Sequence, residues 1–153
     1  MSLTTDYAED YHLLAIVGAL QDYTLAFFIN RQLGLQLKKY KDFSIAERGG
    51  YYSWYYYKQG NKYMTCYLIG NNYPGKKLIP ALKNYDFFFL IKDATDKEQL
   101  QTMAAGIRKI QNVVGVFEQK LSAIDGMDVL IESNELHEMD QIISPAKKIQ
   151  NKI

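Results

Sequence analysis

Residues 85–121 read YDFFFLIKDATDKEQLQTMAAGIRKIQNVVGVFEQKL, and the fold is decided there. Tyr85–Ile91 is an apolar run of strand length, the pattern of a central strand buried on both faces. Asp96 followed by Gln99 has capping-box spacing, because a carboxylate at the cap accepts from the unpaired amides of the first turn. Leu100, Met103, Ala104 and Ile107 then recur at i, i+3, i+4 and i+7, and Ile110 completes the stripe. That spacing predicts a helix laying one apolar face on a sheet. Val113–Phe117, extending to Leu121, is the strand that follows.

A second strand–helix–strand unit precedes it, at 12–45. His12–Leu20 is a buried strand, and Asp22 is a candidate N-cap. Leu25, Phe28, Ile29 and Leu33 recur at helical spacing, and Gly34 supplies the left-handed C-cap, so the helix covers 22–34. Leu35–Ile45 alternates imperfectly and reads as one or two short strands broken near Lys41-Asp42. Between the units, Glu47–Gly50 is a turn, and Tyr51–Tyr57 (YYSWYYY) is a strand-prone aromatic stretch. A loop at Lys58–Lys62 joins it to a partner, Tyr63–Ile69. Gly70–Gly75 is a turn cluster, and Pro80 opens a one-turn helix through Asn84 because its missing amide bars it from a central ladder.

The resulting order is β-α-β-β-β-β-α-β. Right-handed crossovers bring both helices to one face. The expected class is α+β: a two-layer sandwich with a ferredoxin-like or ACT-like antiparallel sheet, two helices on one face and an aromatic hairpin. Residues 1–125 form the domain, and 126–153 form a C-terminal extension, partly helical. Leu136, Met139, Ile142 and Ile143 give that extension a weak stripe ending at Ser144-Pro145. Its tail, Ala146–Ile153, frays. The second sheet face needs cover from the hairpin, the C-terminal helix or another subunit.

Composition narrows the function. The chain has 153 residues, 18 basic and 17 acidic, for a net charge of +1. Duplex nucleic-acid binding normally needs a basic face, so it is disfavoured. A lone Cys66 and two separated histidines, His12 and His137, provide neither a disulfide nor a metal-ligand spacing, and no metal or cofactor is expected. No leader pattern and no apolar run near ~20 residues occurs, which points to the cytoplasm and away from the membrane.

The stretch Ile79-Pro80-Ala81-Leu82-Lys83-Asn84-Tyr85-Asp86-Phe87 resembles the signature of the IPExxxVDY family of small Bacteroidetes proteins. Ile79, Pro80 and Asp86 match, whereas Ala81, Tyr85 and Phe87 stand where the family has Glu, Val and Tyr. Asp22-Tyr23-x-Leu25, Asn30 and Leu33-Gly34 are similar to its first helix, and the resemblance spans roughly residues 10 to 121. It implies a bacterial source, a size and a fold type, and no reaction. Were the family's Glu catalytic, Ala81 would leave this chain without it.

Each remaining constellation has a structural reading beside the chemical one. Asp86 lies among aromatics that can raise a carboxyl pKa, yet no partner base, nucleophile or metal spacing accompanies it, and capping accounts for it. His12 suits a strand end, and Cys66, inside an apolar strand, behaves as a small hydrophobe. Gly70–Lys77 lacks the G-x-x-x-x-G-K-[ST] of a phosphate loop. Thirteen tyrosines are the unusual feature. Alternation puts Tyr51, Ser53, Tyr55 and Tyr57 on one face and Tyr52, Trp54 and Tyr56 on the other. Tyr52, Trp54 and Tyr56, with Arg48 and Lys58, are the candidate binding residues, and Lys62, Lys76 and Lys77 could add phosphate contacts. The expected function is a non-enzymatic binding domain that self-associates or takes a protein partner. Single-stranded RNA binding through the hairpin and ACT-like sensing of a small molecule are the alternatives.

Overall fold

A computed structural model describes residues 10–45, 48–60, 64–94 and 96–144. β1 (Tyr11–Gly18) leads into α1 (Asp22–Leu33), then β2 (Lys38–Lys39), β3 (Trp54–Lys58) and β4 (Thr65–Gly70). A small hairpin, β5 (Asn72–Tyr73) and β6 (Lys76–Lys77), and a 3-10 turn at Pro80–Leu82 come next. β7 (Phe87–Lys92), α2 (Lys97–Arg108), β8 (Val113–Gln119) and α3 (Met127–Glu138) follow, and a π turn over Met139–Ile143 continues α3.

The main sheet has six strands in the order β2-β3-β4-β7-β1-β8, all antiparallel. β7 lies between β4 and β1, and every residue from Phe87 to Ile91 is buried, as the run predicted. The aromatic stretch pairs with Thr65–Ile69, Trp54 opposite Ile69 and Tyr57 opposite Cys66, so the hairpin is part of the sheet. The strand expected over 35–45 shrinks to Lys38–Lys39 and a single bridge between Phe43 and Tyr52.

Alternation along the strands divides the interior in two. Leu14, Ile16, Tyr55, Cys66, Leu68, Phe89 and Ile91 point to the face covered by α1 and α2. Leu13, Ala15, Trp54, Tyr56, Tyr67, Ile69, Phe88 and Leu90 point to the other. Both helices follow their sequence signals. Gly34 caps α1 at φ 66° with its amide on Asn30 O, and Asp96 accepts from Gln99 N at 2.8 Å at the start of α2. Leu100, Met103, Ala104 and Ile107 are the buried face of α2. The cap of α1 is Gln21, not Asp22, whose carboxylate instead meets Tyr55 and Lys39.

α3 corrects the two-layer expectation. It lies on the second face and buries Met127, Leu130 and Ile131 among Tyr11, Trp54, Tyr67 and Leu90, making a third layer. The extension expected over 126–153 therefore contributes directly to a core. Its tail, 145–153, lies outside the described residues. The chain is α+β, and among the described residues no helix is long and apolar enough to cross a membrane.

Candidate functional site

The candidate binding residues centre on the aromatic face of β3. Trp54, Tyr52 and Tyr56 do share a side of the strand, and the Trp54 and Tyr56 rings stack at 5.6 Å and 14°. That side is covered. Trp54 is 0% exposed, because α3 crosses it. The indole Nε1 donates to Asn134 Oδ1 at 2.7 Å, and the His137 ring meets the indole edge-on at 4.6 Å. A base stacking on Trp54 needs the volume those two side chains fill, so the stacking surface read from alternation is an interior surface.

α3 is attached to this face by tyrosine hydroxyls. Tyr11 donates to Glu135 Oε2 at 2.5 Å, and Tyr67 donates to Glu138 Oε1 at 2.6 Å. Lys92 Nζ lies 3.6 Å from the same Glu135 oxygen. Burial, and then the bonded carboxylates, push the Tyr11 and Tyr67 pKa values well above the usual range. Tyr56 is raised by burial and then by the Glu138 charge. Asn134 is fully buried, and donation from Trp54 forces its amide oxygen toward the sheet. Its Nδ2 has no partner among the described residues.

Arg48 and Lys58 do not join the aromatic set. Arg48 Nη1 donates to Leu78 O at 2.9 Å, and Nη2 lies 2.7 Å from where a Cβ on Gly126 would stand. Arg48 thus fastens the 48–50 turn to Leu78 and packs against Gly126 at the entry of α3. Lys58 is exposed at the far end of β3. Lys76 reaches Arg48 O at 3.3 Å, Lys77 donates to Asn72, and Lys62 lies outside the described residues.

The 79–87 segment is organised by Asn71, which in sequence looks like part of a turn cluster. Asn71 is 0% exposed. Its Nδ2 donates to Leu82 O at 3.0 Å and Tyr85 O at 2.9 Å, and its Oδ1 accepts from Ile79 N at 3.0 Å. Its backbone amide bonds Asp86 O, and its carbonyl accepts from Leu78 N. One side chain therefore satisfies the turn that Pro80 opens. Ile79 is buried beneath it, and Ala81 is exposed.

Asp86 fills the structural role. Its Oδ2 accepts from Gly18 N at 2.9 Å, tying the end of β1 to the head of β7, and its Oδ1 faces Asn72 Nδ2 at 3.3 Å. It lines a polar cleft of about 270 Å³ with Asp22, Lys39, Asp42 and Asn72. Across that cleft Asp22 accepts from Tyr55 at 2.9 Å and from Lys39 at 3.2 Å. Burial opposes its ionisation, but those two partners outweigh it and hold the Asp22 pKa below 3.8. Among the described residues no group of three or more His, Cys, Asp or Glu side chains could hold a metal.

Cys66 is buried, and burial pushes its thiol up to about 12, so the reactive thiolate is suppressed. His12 is half-buried on β1, 3.8 Å from Glu118. Elsewhere the surface is apolar in places. β8 exposes Val114 (81%) and Phe117 (51%), with Tyr85 6.1 Å from the Phe117 ring. The outer side of α3 exposes Leu136, Met139 and Ile143. Compared with known proteins, the chain matches no family model, no curated protein and no solved structure.

Proposed function

We propose that the chain is a non-enzymatic interaction domain that associates with a second copy of itself through the β8 edge. The carrying observation is the contrast between the two edges of the sheet. β2 ends one side with two residues, both exposed lysines, the usual way of blunting an edge. β8 ends the other with seven residues containing neither Lys nor Pro, and it turns Val114 and Phe117 to solvent.

Val114 is the extra residue at a bulge, since Gly115 opposes Val17 and Val113 opposes Gly18. Arg108 donates twice to Val116 O, at 2.7 and 3.2 Å, so that carbonyl is already occupied. Association through this edge is accordingly a side-chain contact centred on Phe117 rather than a continued ladder. The experiment is sedimentation velocity on the full chain and on Phe117→Glu. A dimer dissociated by the substitution supports the reading, and a wild-type monomer at every concentration rejects it.

A ferredoxin-like core is the arrangement this interaction domain is built on, and the strand order supports it. β8-β1-β7-β4 with α1 and α2 on one face is the strand order of a ferredoxin-like core, and β2 and β3 widen it. Kinship with the IPExxxVDY family is supported by the roles of its three matching positions: Ile79 is buried, Pro80 opens the turn and Asp86 holds Gly18. An ACT-like sensor is a second reading. It is favoured by a cleft of about 290 Å³ beside β8, lined by His12, Glu118 and Lys120. A metabolite that raises the melting temperature of the wild type and not of Glu118→Ala would support it.

A further inference from the structure

α3 is apolar on two sides. Its inner side is the one packed on the sheet. On its outer side Leu136 is 61% exposed, Met139 50% and Ile143 67%, at spacings of three and four residues. Such spacing sets the three on one flank of a helix. Nothing in the described fold covers them, and exposing one large aliphatic stripe costs solubility unless it is used.

The charged side chains of α3 and its π turn are all acidic. Residues 121–144 contain Asp125, Asp128, Glu132, Glu135, Glu138 and Asp140 and no Lys or Arg. Glu132 stands one turn before Leu136 and Asp140 one turn after it, whereas Glu135 turns to Tyr11 and Lys92 on the sheet side. Asp128 and Glu132 are exposed. Two copies of α3 set face to face would oppose acidic rims, and an anionic lipid surface would be repelled for the same reason.

We infer that the outer flank of α3, Leu136, Met139 and Ile143 within an acidic rim, is a docking helix for a protein partner presenting an apolar groove with a basic rim. This is the helix-in-groove mode with the helix supplied by this chain. The inference rests on the interaction-domain reading and extends it to a second surface, on α3 instead of β8. The basic rim steers the encounter, and the three aliphatic side chains supply the buried centre.

The test is photo-crosslinking of the full chain, with p-benzoylphenylalanine in place of Leu136, in its native cells. The expected product is an adduct with one other protein. Peptide mapping should put the crosslink in a segment carrying both apolar residues and Lys or Arg. Glu132→Lys in the same chain should lower adduct yield roughly tenfold, since rim charge chiefly sets the association rate. The same probe in place of Gln32 should give no such adduct. An adduct only with a second copy, with lipid or with another segment of the same chain overturns the inference. So does no adduct, or an adduct insensitive to Glu132→Lys. Sedimentation of Leu136→Glu separates the two proposals: its oligomeric mass should match the wild type, because self-association uses β8.

Discussion

Trp54 and Asn134 are joined by a 2.7 Å hydrogen bond across 80 positions of sequence, and that bond closes the aromatic face of the sheet. It links the most aromatic strand to the helix that the C-terminal residues form. Without it the indole N–H would be a buried donor with no acceptor.

Asn134→Ala should therefore cost about 2–3 kcal/mol of folding free energy, from an orphaned indole N–H plus a small cavity. Trp54→Phe with Asn134→Leu removes donor and acceptor together, and should cost less than the two single changes summed. Urea denaturation of the three variants measures this.

Trp54 fluorescence reports the same closure. The wild-type emission should be blue-shifted, poorly quenched by acrylamide and unchanged by single-stranded RNA at low salt. RNA quenching with a steep salt dependence would show instead that α3 leaves the sheet.

The tyrosine attachments make α3 docking sensitive to alkali. Tyr11 and Tyr67 have folded pKa values raised above their unfolded value of 10.0. Their contribution is fully present below pH 10.0, and it is lost as pH rises beyond that, where only the unfolded chain has ionised. Stability measured by denaturant should fall above that pH, and less so in Tyr67→Phe. Tyrosinate absorbance should show a late-titrating set in the folded protein.

Asp22 acts at the opposite end of the pH scale. Its folded pKa lies below the unfolded 3.8, so its stabilisation is present above pH 3.8 and is lost as pH falls through the folded value. Asp22→Asn should flatten the acid limb of the stability profile, and should also soften the alkaline limb, because burial and then the Asp22 carboxylate hold the Tyr55 pKa up.

Asn71 should be among the least replaceable polar residues. Asn71→Ala leaves Ile79 N, Leu82 O and Tyr85 O without their side-chain partner in a buried turn. A loss of about 3 kcal/mol or more is expected by thermal or urea unfolding. Ala81→Glu, at an exposed position, should be within about 0.5 kcal/mol of the wild type.

Local signals carried most of the fold. The apolar run before Ile91, the Asp96–Gln99 cap, the α2 stripe and Gly34 each lie within one element, and the structure has each of them. Alternation also sorted Tyr55 from Trp54 and Tyr56 correctly between the two faces. What the sequence concealed was non-local. Tyr11 meets Glu135 across 124 positions and Tyr67 meets Glu138 across 71, and no local pattern marks such pairs. α3 was legible only as weakly helical, because a helix apolar on two flanks has no single clear period. Its buried side is Met127, Leu130, Ile131 and Asn134, whereas of the stripe visible in sequence Leu136, Met139 and Ile143 face outward and Ile142 packs on the core. Asn71 was hidden for a different reason. An asparagine in a Gly-Asn-Asn-Tyr-Pro-Gly cluster looks like turn chemistry until its side chain is seen to hold the turn.

Sedimentation velocity across a wide concentration range examines the β8 interface itself, comparing wild type with Phe117→Glu and Val114→Asp. The wild type should pass from 17.7 kDa toward twice that mass as concentration rises, and each substitution should weaken the dissociation constant by at least about tenfold. A wild type that stays at 17.7 kDa throughout, or a dimer indifferent to both substitutions, would contradict self-association through that edge.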